Sequence, residues 1–176
     1  MPKPATRVTT PVSTISFPQL FEAKAANPKD DPKFSATIIF DEGQDLSTLD
    51  AAIEAAIEKA IEKKWNGKRP KDLKLPFKNG DEKLDKEDNP RPEFAGRTYI
   101  TVNATADDQP KVVGEDREPI IDVKEMYGGA RVRVALSAYG WTYGKDKGVS
   151  FYLNAVQKVA DGEPFGLNVS IDEDFA

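Results

Sequence analysis

Apolar and polar residues alternate with a period of two along most of this chain, and with a helical period in one stretch. Arg7 to Phe17 is rich in Thr, Val and Ile and sets Val8, Thr10, Val12 and Thr14 on one face of a first strand. Pro11 within it marks an edge or a bulge. Ala23 to Pro32, with Asn27-Pro28 and Asp30-Asp31-Pro32, reads as a loop. Lys33 to Phe40 reads as a second strand burying Phe34, Ala36, Ile38 and Phe40. Leu46, Leu49, Ile53, Ile57 and Ile61 then recur at three- and four-residue steps, which predicts a helix from Leu46 to about Lys64. Asp45 is its expected N-cap and Asn66-Gly67 its stop. Residues 66–96 are charged and broken by prolines, so they read as a long loop with one helical turn around Asp81 to Asp85.

The C-terminal half reads as β. Thr98 to Ala104 points Ile100 and Val102 inward and Tyr99, Thr101 and Asn103 outward; Gln109 to Val113 and Ile120 to Val123 read as short strands around Gly114. Ala130 to Tyr143 gives the clearest alternation. Its even positions (Val132, Val134, Leu136, Ala138, Gly140, Thr142) suit a barrel interior, and its odd positions face the other way. A five-residue turn from Gly144 to Gly148 leads into Val149 to Val159, with Val149, Phe151, Leu153 and Ala155 inward. Five or six strands with one inserted helix predict a mainly β (α+β) fold: an OB-fold, five-stranded Greek-key barrel with a long loop after the helix. The expected division is one domain over residues 1–160 and an acidic tail over 161–176.

Composition removes several functions. With no Cys and no His, disulfides, thiolate zinc sites, cysteine nucleophiles and the commonest neutral-pH base are excluded. Neither an enzyme nor a cofactor or metal site is expected. No apolar run approaches the roughly 20 residues of a membrane span, and the N-terminus lacks a signal-peptide core, so no membrane partner is expected and a cytoplasmic location is. The net charge of -5 is unevenly placed. Asp161 to Ala176 carries five acids and no base, while Lys59 to Lys78 carries eight basic residues against Glu62 and Asp72. A neutral body with a basic patch and an acidic tail suits a polyanion ligand.

The outward face of the clearest strand carries Arg131, Arg133, Tyr139, Trp141 and Tyr143, and its hairpin partner adds Tyr152. Aromatic faces stack unpaired bases of any sequence, and neighbouring cations take the phosphates. Tyr99 and Trp65 are further candidates for stacking; Lys145, Lys147, Lys64, Lys68 and Arg69 for phosphate contact. The opposing reading makes these rings the cover of a second small core. Acid pairs such as Asp41-Glu42, Asp81-Glu82 and Asp107-Asp108 would suit a carboxylate-metal nuclease, but they lie in loop-like stretches where solvated charge is ordinary. An RNA- or protein-binding OB module and a virion β-protein are the other rivals. Asp172, Glu173, Asp174 and Phe175 offer an acidic, apolar-tipped segment to a basic pocket.

Taken together, the opening strand from Arg7, Lys33-Phe-Ser-Ala-Thr-Ile-Ile-Phe40, Gly96-Arg97-Thr-Tyr-Ile100, Gly128-Gly-Ala-Arg-Val-Arg133, Tyr139 to Tyr143, Gly148 to Gln157 and the acidic end resemble the OB-fold single-stranded DNA-binding proteins of tailed bacteriophages. The resemblance spans nearly the whole chain and rests on overall pattern rather than on one motif. It implies a barrel that coats unwound DNA during phage replication or recombination, with replication proteins as partners of the acidic tail. Homo-oligomerisation is compatible with it.

Overall fold

The computed structural model describes residues 5–25, 27–85 and 87–164. Within them lie nine strands: β1 Arg7–Thr9, β2 Ser13–Lys24, β3 Lys33–Ile39, β4 Leu73–Lys74, β5 Lys78–Asn79, β6 Thr98–Thr105, β7 Lys111–Val113, β8 Arg131–Tyr143 and β9 Asp146–Ala160. One helix, α1 Ser47–Lys63, and three short 3-10 turns complete the set. The five long strands close a ring. β2 pairs β3, β3 pairs β6, β8 pairs β9 and β2 pairs β8, all antiparallel, while β6 meets β9 in parallel at Asn103 and Tyr152. This is the Greek-key closure of an OB-type barrel.

The alternation along each strand explains the ring. Val132, Val134, Leu136, Ala138 and Gly140 of β8 are buried, as are Phe34, Ala36 and Ile38 of β3, with Phe40 just beyond it, and Ile100, Val102 and Ala104 of β6. The expected first strand is broken in two at Pro11, and both pieces run along β8 (Val8 opposite Leu136, Ser13 opposite Val132). Between them the ladder is carried by Thr10. Its N–H donates to Val134 O at 2.9 Å, and its Oγ1 accepts from Val134 N–H at 3.0 Å. β2 also runs on to Lys24, shortening the loop expected from Ala23.

The β8–β9 hairpin differs from expectation in two ways. Tyr143 pairs with Asp146, so the loop is the two residues Gly144-Lys145. Of these only Gly144 has positive φ (60°), the pattern of a type II′ turn that matches strand twist. The register also shifts between Ala135–Ala155 and Leu136–Leu153, leaving Asn154 as an extra residue. That bulge flips the phase: Ala155 is half-exposed and Val156 is the buried residue. The short strand expected from Ile120 to Val123 is absent: residues 120–122 are irregular, and Val123–Glu125 form a 3-10 turn.

Helix α1 buries Leu49, Ile53 and Ile57 together with Ala52, Ala56 and Ala60. Asp45 precedes the N-cap Leu46 by one residue, and its Oδ1 accepts from Ser47 N–H at 2.9 Å. The alanine stripe lies on β8 at Gly140. A Cβ there would sit 2.5 Å from Ala60 Cβ, so only glycine permits this approach. The long segment after α1 is built rather than loose. β4 joins β9 and β5 joins β6. Residues 83–85 and 87–91 lie side by side as a small hairpin bridged at Leu84 and Pro90.

Candidate nucleic-acid interface

The ring has an inside that is filled and an outside whose composition changes from strand to strand. Cross-strand pairing lines up one outward row in unbroken register: Gln19, Ser35, Asn103, Tyr152, Ser137 and Arg7. A parallel row holds Ser16, Thr37 and Thr101 on β2, β3 and β6, and Tyr139 opposite Ser150 on the hairpin. Small hydroxyls and amides floor this face, Ser16 and Thr37 among them buried, and the rings stand at its β8–β9 end.

Tyr143 at the hairpin tip is 81% exposed and Tyr139 43%. Trp141 is half-buried. Its Nε1–H donates to Ser150 Oγ at 3.0 Å, and its ring lies against Gly148, where a Cβ would come within 2.5 Å of it. Tyr152 is half-buried too. Its hydroxyl donates to Asp108 Oδ2 at 2.7 Å and accepts from Thr105 N–H at 3.2 Å, which fixes the ring on the β6 side. Arg133, opposite Gln157, is exposed, as is Lys145; Lys147 is half-buried beside Leu73 of β4. Tyr139 also borders a groove of about 210 Å³ with Lys59, Lys63 and Lys64 on its rim and Ala56, Ala60 and Ala138 on its floor. The basic end of α1 therefore meets the aromatic face at Tyr139.

Several expected contacts lie elsewhere. Trp65 is a core residue, 4% exposed, its Nε1–H given to Thr142 Oγ1 at 3.1 Å; it seals the contact of α1 with β8 and cannot stack a base. Tyr99 is buried as well, edge-on to Phe94 with ring centroids 5.0 Å apart, because the 3-10 turn Pro92–Phe94 covers that end of the face. Arg131 makes a bidentate pair with Asp41 (2.9 and 2.8 Å) and donates to Thr14 Oγ1, so its guanidinium is committed within the protein. The hydrogen bond and charge of Arg131 hold the Asp41 carboxyl below the usual carboxylate range. Arg69 is bound to Glu54 by two hydrogen bonds, and Lys64 Nζ donates to Gly140 O at 2.8 Å, while Lys68 is exposed.

The acidic end begins fastened. Asp161 Oδ1 lies 2.7 Å from Lys158 Nζ and accepts from the Tyr127 hydroxyl, and those bonds lower its carboxyl's affinity for protons. Asp172, Glu173, Asp174 and Phe175 lie outside the described residues.

Residues missed in the linear reading include Gln19, Ser35 and Asn103, which line a cavity of about 690 Å³ with Lys24, Lys29 and Lys33 at the β2–β3 loop. Only the register brings them together; their spacing in sequence carries no signal, and Asp30 and Asp31 dilute the basic run. Among the described residues no group of acids is close enough to hold a metal ion, and no helix is long and apolar enough to cross a membrane.

A barrel with an exposed aromatic and basic outer face matches a known sequence family. The family described as Enterobacter phage Enc34, ssDNA-binding protein, matches residues 6–176. The chain belongs to this family. It is a single-stranded DNA-binding protein of phage type, not an enzyme. No curated protein matches it in sequence. Among solved structures it is similar to the single-stranded DNA-binding protein from bacteriophage Enc34 in complex with ssDNA, at 25% identity, TM-score 0.67, over 92% of this chain and 90% of that one. The same phage protein in a second structure gives 21% identity and TM-score 0.70, covering 98% and 91%. The single-stranded DNA-binding protein gp2.5 of bacteriophage T7 shares the fold at 16% identity and TM-score 0.61, covering 96% and 93%.

Proposed function

We propose that the outer face of the β8–β9 hairpin, continued over β6, β3 and β2, is where this family member holds single-stranded DNA without regard to sequence. Tyr139, Trp141, Tyr143 and Tyr152 stack bases; Arg133, Lys145, Lys147, Lys68 and the lysines of α1 take phosphates. The observation that carries this reading is the exposure of Tyr143 and Tyr139 on the outward side of β8, Tyr139 opposite Ser150 and Tyr143 opposite Asp146 at the hairpin tip. Stacking on such rings is worth about 1–3 kcal/mol per base, and every base offers a face. In the host cytoplasm the protein coats strands unwound in phage replication or recombination.

The division into a binding domain (residues 1–160) and an acidic tail (161–176) belongs to the same reading. The tail, ending Asp172-Glu-Asp-Phe-Ala176, competes with DNA for the basic face and presents Phe175 to replication proteins.

Titration of intrinsic tryptophan fluorescence with oligo(dT) tests the site. Quenching that saturates supports stacking at Trp141, because Trp65 is buried and out of reach. A parallel titration with oligo(U) ranks RNA against DNA. No fluorescence change together with no gel shift would remove this face from the DNA path.

A further inference from the structure

One aromatic side chain on the outer surface is not explained by the hairpin. Phe17 sits in the bulge of β2 between the pairs Ser16–Thr37 and Gln19–Ser35. Its φ is 49° and its side chain is 45% exposed. The left-handed region is costly for a bulky side chain, and a glycine ordinarily fills such a bulge position. Pro18 follows directly and disfavours the right-handed α alternative. Neither folding nor burial accounts for an aromatic ring here. Two cations accompany it. Arg91 Cζ lies 5.2 Å from the ring centroid and Lys83 Nζ 5.9 Å, with Lys83 also 5.7 Å from the Tyr99 ring.

Both cations come from the 83–91 hairpin of the long segment. Arg91 N–H donates to Lys83 O at 3.2 Å, so the two residues are cross-strand neighbours held over the same ring. The tip of that hairpin is fixed by Asp85, whose carboxylate accepts from Glu87 N–H and Asn89 N–H. The Arg91 guanidinium is incompletely satisfied. Its Nε has no hydrogen-bond acceptor among the described residues, and its nearest carboxylate oxygen, on Glu93, is 3.9 Å away.

We propose that Phe17 is a second base-stacking platform, with Lys83 and Arg91 clamping the phosphates of the nucleotide stacked on it. The proposal rests on the reading of the outer face as the DNA path. The row Thr101, Thr37, Ser16, exposed at Thr101 and buried at Thr37 and Ser16, crosses the sheet and ends beside Phe17, whereas the aromatic hairpin stands at the other end. DNA passing over the covered part of this row is gripped at both ends, by rings of the β8–β9 hairpin and by a ring in β2. Lys83 and Arg91 lie over the ring by attraction to its quadrupole, so the base stacks on the apolar surface that they leave exposed. The 83–91 hairpin is then part of the binding surface and not only the cover of Tyr99.

Phe17→Gly separates this role from a structural one. Glycine accepts the positive φ without strain, so the variant keeps or gains thermal stability. We expect its dissociation constant for oligo(dT) to rise by about 5- to 150-fold. Phe17→Asn, which also tolerates left-handed backbone, is expected to do the same. Oligonucleotides carrying one abasic nucleotide at successive positions give a second readout: wild type shows a position whose base Phe17→Gly no longer senses. Unchanged affinity in both variants, or the same abasic profile in wild type and Phe17→Gly, overturns the platform while leaving the hairpin site standing. Failure of wild type itself to bind oligo(dT) removes the underlying reading as well.

Discussion

Trp141 and Val134 occupy the same strand and have opposite duties. Trp141 lies on the outer face against Gly148, and Val134 is fully buried inside the ring. Trp141→Ala should weaken oligo(dT) binding by about 1–3 kcal/mol while thermal unfolding shifts little. Val134→Asp should unfold the domain or destabilise it by several kcal/mol, since a carboxylate there has neither water nor a partner. Circular dichroism melts beside binding isotherms separate the two. Arg131 stands on the outward side of the same strand, yet Asp41 claims its guanidinium for an internal ion pair. Because the Asp41 carboxyl is depressed in the fold, the unfolded chain binds the extra proton first as pH falls. The pair's contribution is therefore full above the ordinary carboxylate pKa and lost as pH drops through the folded value. Both side chains are partly exposed, which limits the effect to about 1 kcal/mol or less. Asp41→Asn should thus lower stability slightly at pH 7 and remove part of the fall in stability towards pH 3, read by urea unfolding at both pH values.

Among the elements, α1 and the β8–β9 hairpin meet at Gly140 and Trp65. The helix was legible from its apolar stripe, but that stripe does not reveal what covers it. Gly140 admits Ala60 and Trp65 against the strand, and Lys64 closes the contact on the Gly140 carbonyl. Gly140→Val should push α1 off β8 and cost several kcal/mol, visible as a lowered melting midpoint and earlier exposure of Trp65 to quencher. The same docking explains why Trp65 failed as a base-stacking candidate. Interleaving an aromatic with lysines looks alike whether the ring faces a ligand or anchors a helix end. Tyr99 failed similarly: strand alternation put it outside the barrel, and the 3-10 turn Pro92–Phe94 just before its strand then covered it.

At the scale of the whole molecule, the charge of the ligand dominates. If about five phosphates are neutralised, log K should fall with log salt at a slope of about -3.5 for single strands. A flat dependence between low and high salt would mean that the cations of this face do not meet DNA. Deleting Asp172 to Ala176 should tighten oligo(dT) binding at low salt and steepen the slope, since a tethered anion then no longer competes. Equal affinities with and without the tail at low salt would leave it no role at this face. The linear order of apolar and polar residues determined the central stretches of the long strands, the helix, the buried face of β8 and the barrel class, because those depend on periods of two and 3.6 along one segment. It also determined that the chemistry excludes thiols and imidazoles. The tertiary structure alone decided which outward residues share a row, since Gln19, Ser35, Asn103 and Tyr152 meet only through strand register. It alone decided which cations remain free, since Asp41 and Glu54 reach Arg131 and Arg69 across long stretches of chain. Local periodicity fixes a side chain's direction, but only long-range pairing determines what stands opposite it.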